Sequence, residues 1–109
     1  MTTFDFGKGR VPAHKHPNGG GWVADTATVS ETAYVGPDAK VSDNAMVSDN
    51  AGVFGNAQVS DNAVVSGYAV VAGNARVSGY AVVTDNARVY DNARVSGDAR
   101  VSGYAVAKG

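Results

Sequence analysis

The residues best suited to chemistry stand together near the start of the chain. Lys8-Gly9-Arg10-Val11-Pro12-Ala13-His14-Lys15-His16-Pro17-Asn18 runs into a triple glycine and Trp22, and it holds both histidines. Cations beside a glycine-rich backbone suit an anion, because amides and positive charges converge on it. Trp22 offers a flat surface for a base or a sugar. Arg10, His14, Lys15, His16 and Trp22 are therefore the first candidate contacts for a phosphate-bearing ligand; the competing reading is a capping loop whose charges face water. His14 and His16 form a His-x-His pair whose rings share one side of an extended strand. No carboxylate other than Asp5 stands near them in sequence, and no metal is assigned.

The rest of the chain is what must position these groups. From Trp22 onward one six-residue phrase repeats without interruption. Val recurs every sixth residue from Val23 to Val101, and Ala every sixth from Ala27 to Ala105. A fixed short period marks a solenoid. Six does not match the helical period, and Gly and Asn recur where a helix would break. Short strands joined by tight corners remain. Val points inward from each strand, and Ala fills the corner interior. The next pair, mostly Asp-Asn, Gly-Asn or Gly-Tyr, turns the corner, with Asn and Gly expected to take the left-handed backbone.

The pattern Val-x-x-x-Ala-x resembles the hexapeptide repeat of left-handed parallel β-helices, in which three hexads form one triangular coil. The resemblance covers about four-fifths of the chain. It implies an all-β, single-domain left-handed parallel β-helix of about five coils, commonly a homotrimer. Residues 1–22 would be a non-repeat cap or arm and 23–109 the helix. The segment from Gly19 to Val23 with its following hexads also looks like short hexapeptide proteins of phages and prophages. Relatives of the repeat include acyltransferases and γ-class carbonic anhydrases. Their chemistry does not carry over residue by residue: no His stands within the coils, no loop is extruded, and the carbonic anhydrases' third His has no counterpart.

With eighteen residues per coil, three outer faces follow. One is polar and basic, with Lys40, Gln58, Arg76 and Arg94 beside Ser42, Ser60, Ser78 and Ser96. The second carries Thr28, Met46, Val64, Val82 and Arg100. The third carries Tyr34, Phe54, Val70, Ala72, Arg88, Tyr90 and Val106. Arg76 and Arg94 form a second candidate contact set. The two apolar stripes predict burial between subunits, hence a homotrimer closed around a threefold axis. Asp25, Asp43 and Asp61 stack on one corner, a solvated ladder chosen for turn chemistry. Asn56, Asn74 and Asn92 stack on another, where side-chain amides are expected to bond along the axis. Tyr68, Tyr80 and Tyr104 stand on corners after glycines, to grip a ligand or brace the trimer. No cap is visible at 107–109, where Lys108 is expected to blunt the open edge.

Composition narrows the classes. Net charge is −1, with no Cys. That argues against a nucleic-acid polymer or a membrane as partner, and it excludes disulfides and thiolate metal sites. No signal peptide or membrane-length apolar run is visible, so a cytoplasmic protein is expected, in the host cytoplasm if phage-encoded. No nucleophile–base pair, carboxylate pair or phosphate-loop consensus can be assembled. The leading expectation is a non-catalytic homotrimer, needing no cofactor, that binds a small anionic, nucleotide-like ligand in clefts between subunits. Sequestering a host signalling nucleotide would suit a phage protein. The alternatives are a structural spacer or tip of a larger particle, and a minimal acyltransferase or carbonic-anhydrase-like metal enzyme.

Overall fold

The computed structural model describes residues 2–7 and 9–108. β1 (Thr3–Asp5) and β2 (Arg10–Lys15) form an N-terminal hairpin. Five coils of three short strands follow. The first holds β3 (Trp22–Ala24), β4 (Thr28–Val29) and β5 (Tyr34–Val35). The second holds β6 (Lys40–Val41), β7 (Met46–Val47) and β8 (Gly52–Val53), and the third β9 (Gln58–Val59), β10 (Val64–Val65) and β11 (Val70–Val71). The fourth holds β12 (Arg76–Val77), β13 (Val82–Val83) and β14 (Arg88–Tyr90). The fifth holds β15 (Arg94–Val95), β16 (Arg100–Val101) and β17 (Val106–Lys108).

Each strand pairs in parallel with the strand eighteen residues on, so Val41 stands beside Val59 and Val77 beside Val95. The result is an all-β parallel solenoid of three sheets, with no helix among the described residues and hence none long and apolar enough to cross a membrane. Only the hairpin breaks the rule. β2 pairs antiparallel with β3 through Lys15–Trp22, His14–Val23 and Ala13–Ala24, which makes the first sheet seven strands deep.

The core is as regular as the sequence. Val23, Val35 and every sixth Val from Val41 to Val89 are fully buried, and the corner Ala residues from Ala33 to Ala87 accompany them. Burying one Val side chain contributes roughly 2 kcal/mol, and only Val and Ala fit where three sheets meet so closely. Backbone bonds run along the axis at strand and corner alike: Met46 N–H donates to Ala63 O at 2.9 Å and Asn44 N–H to Asp61 O at 2.9 Å.

The corners depart from expectation in one respect. The left-handed residue is the first of each pair, not the Asn. Asp43, Asp49, Asp61, Asp85 and Asp91 have φ near +60°, as do the glycines at equivalent places, whereas no Asn does. Ala45 N–H closes each such turn on Ser42 O, at 3.2 Å. Positive φ at the first central position and not at the second sets these turns apart from types I and II. Asp tolerates it because its carboxylate reaches the next coil: Asp43 Oδ2 accepts from Asp61 N–H at 3.2 Å, and Asp61 Oδ2 from Gly79 N–H at 3.0 Å. Asp43 and Asp61 are thus structural devices of the turns, whereas Asp25 of the same ladder is absent from the left-handed set and meets His14 instead. The Asn56, Asn74 and Asn92 ladder is carried by backbone, since Asn56 N–H donates to Gly73 O, and no bond joins their side chains.

Candidate functional site

The N-terminal arm is positioned by aromatic contacts and backbone bonds. Phe4 stacks on Trp22 with centroids 4.8 Å apart, and Phe6 meets Phe4 edge-on at the same distance. The Lys40 ammonium lies 5.5 Å from the Phe4 centroid, and the Lys15 ammonium 5.5 Å from that of Trp22. Such cation–aromatic contacts are favourable because the ring face is electron-rich. The hairpin therefore folds back over the first sheet as well as extending it.

The candidate residues of the arm separate into different roles. Arg10 is held by Thr3: its Nε donates to Oγ1 at 3.0 Å and its Nη2 to the carbonyl at 3.2 Å. His14 Nδ1 lies 2.7 Å from Asp25 Oδ1, with both side chains half exposed. Asp25 was the carboxylate partner that sequence proximity did not reveal, because the arm brings it close from across the turn. His16 lies beyond the end of β2, is 4% exposed, and sets its Nε2 2.8 Å from the Ala33 carbonyl. The two rings thus face separate partners. Among the described residues no three His, Asp or Glu side chains are grouped to hold a metal ion.

The glycine run serves the fold. Gly20 N–H donates to His16 O at 2.9 Å and Gly21 N–H to Val35 O at 3.0 Å. A Cβ on Gly21 would stand 2.3 Å from the Gly36 carbonyl oxygen, so only glycine allows this approach. These amides are therefore not turned toward an anion. Trp22 is likewise half-buried beneath Phe4. Lys8 belongs to the same stretch and lies outside the described residues.

On the first sheet the structure aligns Lys15, Trp22, Arg76 and Arg94, with Lys15 beside Trp22 and Arg76 beside Arg94 but the two pairs three rungs apart. Register puts Lys15 beside Trp22, then Lys40, Gln58, Arg76 and Arg94 on successive strands of the first sheet. Neighbouring rungs are about 4.8 Å apart. Arg76 and Arg94 are exposed, with Ser78 and Ser96 following on the same side of the coil. The ladder contains four cations and no carboxylate. Lys40 is the contact that a list drawn from the arm alone leaves out; its place eighteen residues after Trp22 was the available signal.

On the third face, Tyr34 stacks on Phe54 at 4.9 Å, and an open groove of about 400 Å³ lies among Val70, Ala72, Arg88, Tyr90 and Val106. On the corners, Tyr68 and Tyr80 are 65% exposed and Tyr104 83%.

No curated protein and no solved structure matches the chain significantly. A family model does, described as the YdcK beta solenoid repeat, at residues 39–56, 57–73, 83–97, 87–103 and 93–109. Those segments together span more than half of the chain and follow the coils just described. The chain belongs to the YdcK beta solenoid repeat family.

Proposed function

We propose that the protein is a non-catalytic binding scaffold, a left-handed β-helix that closes as a homotrimer and holds a small anionic, nucleotide-like ligand along its basic face at a subunit boundary. The observation that carries this reading is the in-register ladder of Lys15, Lys40, Arg76 and Arg94 on one sheet. Guanidinium groups on adjacent rungs grip phosphate oxygens in pairs, and the serines beside them donate hydroxyl bonds. Arg76 and Arg94 are the principal contacts, with Lys15 at the head of the ladder; His16 and Trp22 act through the fold, and Arg10 and His14 are engaged by Thr3 and Asp25. As a non-catalytic scaffold the protein would act as a cytoplasmic sink for its ligand.

The homotrimer is supported by exposed apolar side chains with no partner in one chain. Met46 is 45% exposed and Val106 55%, and Val64 and Val82 share the stripe of Met46. Closed threefold packing would cover them without open-ended growth.

Native mass spectrometry, followed by denaturation and analysis of released small molecules, tests the whole reading. A trimer that releases a nucleotide or a similar anion is the expected result. An empty trimer that also fails to bind added nucleotides overturns the sink and leaves a rigid spacer, which the uninterrupted coil favours. A monomer overturns the subunit-boundary site.

A further inference from the structure

The folded-back arm borders a second place, which meets the basic ladder at Gln58. Between the arm and the first corner lies a cleft of about 510 Å³, within the range of small-molecule pockets. Its two walls are unlike. The arm contributes Phe6, Val11 and Pro12, an apolar surface. The coil contributes Asp43, Asn44, Gln58 and Ser60, a polar one. Asp-Asn pairs recur at other corners of the coil; here the pair Asp43-Asn44 faces an apolar wall.

The polar wall is held ready. Asp43 Oδ2 is fixed by the Asp61 amide at 3.2 Å, and Asp25 Oδ1, at the cleft's edge, by His14 at 2.7 Å. The side chains of Asn44, Gln58 and Ser60 make no hydrogen bond to another described residue, so their donors and acceptors remain for a ligand. Among the described lining residues the charged groups are Asp25 and Asp43, both carboxylates.

We infer that this cleft binds a small neutral saccharide. A sugar ring has an apolar C–H face and a hydroxyl edge. Phe6, Val11 and Pro12 match the first. Carboxylates that only accept, and amides that donate and accept side by side, match neighbouring hydroxyls. The same carboxylates repel a phosphate, so the charge of this cleft's lining differs from that of the cationic ladder it meets at Gln58.

Saturation-transfer difference NMR on the full chain tests the inference, with methyl α-glucoside, methyl β-galactoside and methyl β-N-acetylglucosaminide as probes. At least one is expected to show transfer to its ring C–H protons. Asn44→Ala should weaken its binding roughly fivefold, and Phe6→Ala should abolish transfer, while Tyr104→Ala on a distant corner leaves it unchanged. Glucose 6-phosphate should bind more weakly than glucose. Asn44 is exposed and Asn44→Ala leaves the arm's packing intact, so it decides the matter even if Phe6→Ala loosens the arm. Absence of transfer from all three glycosides, transfer that survives both variants, or tighter binding of the phosphate would overturn the inference. Asn44 lies on a corner off the ladder, so saccharide transfer lost in Asn44→Ala and anion binding lost on replacing Arg76 and Arg94 report on the two sites separately.

Discussion

At the scale of single residues, the turns rest on a carboxylate that performs two tasks. Asp61 adopts the left-handed backbone and accepts the Gly79 amide of the next coil. Asp61→Ala keeps the unfavourable φ and removes the acceptor, so it should destabilise the protein by about 2 kcal/mol. Asp61→Asn keeps an acceptor oxygen and should cost well under half as much. Urea denaturation of the two variants checks the contrast; equal losses would remove the carboxylate's bond from the account. His16→Ala removes one of two donors to the Ala33 carbonyl, which keeps the Asn18 amide at 3.1 Å. It should cost about 1 kcal/mol while nucleotide affinity, measured by calorimetry on the folded variant, stays unchanged. A selective loss of affinity at full stability would return His16 to the ligand.

At the scale of elements, the strands differ in what they tolerate. Val65, on β10 at mid-coil, is fully buried between Val47 and Val83. Val65→Ala should cost roughly 2 kcal/mol, because neighbouring coils on both sides prevent the cavity from closing. The join between arm and coil is stricter. A side chain at Gly21 meets the Gly36 carbonyl, which belongs to backbone and cannot rotate away. Gly21→Ala should therefore detach the segment before β3 and cost more than Val65→Ala. Hydrogen exchange reads this directly: protection at residues 11–22 should fall first, with the coils from β6 onward little changed. Uniform loss along the coil would show that the arm and coil unfold as one.

For the whole molecule, the faces divide the work. The first sheet carries cations in a row, and the other two carry apolar stripes. Val82→Glu, on the second face, should split the proposed trimer, since an unpaired charge in an apolar interface is strongly unfavourable. Sedimentation velocity would show the smaller species, and a trimer that persists would assign the interface to the third face. Replacing Arg76 and Arg94 together with Ala should weaken anion binding by about tenfold or more and flatten its salt dependence, with oligomeric state retained. Unchanged affinity in that double variant would separate the basic ladder from the ligand.

The sequence by itself determined the coil. A period of six placed Val23 through Val95 inside, because each unit has the same small core to fill and the same corner to turn; the eighteen-residue register came from the resemblance, with its three hexads per coil. It also put Lys40, Arg76 and Arg94 in one column, since equal periods align equal positions. The sign of φ at Asp43 rather than Asn44 was not legible, because it depends on an amide supplied by the next coil. Least legible was the arm. Residues 2–22 follow no period, so nothing local says that Phe4 turns back over Trp22, that Asp25 meets His14, or that the glycine amides serve Val35 and His16. Those contacts join residues whose proximity is set by packing against the first coil, and only the tertiary structure decides which side chains such an aperiodic segment brings together.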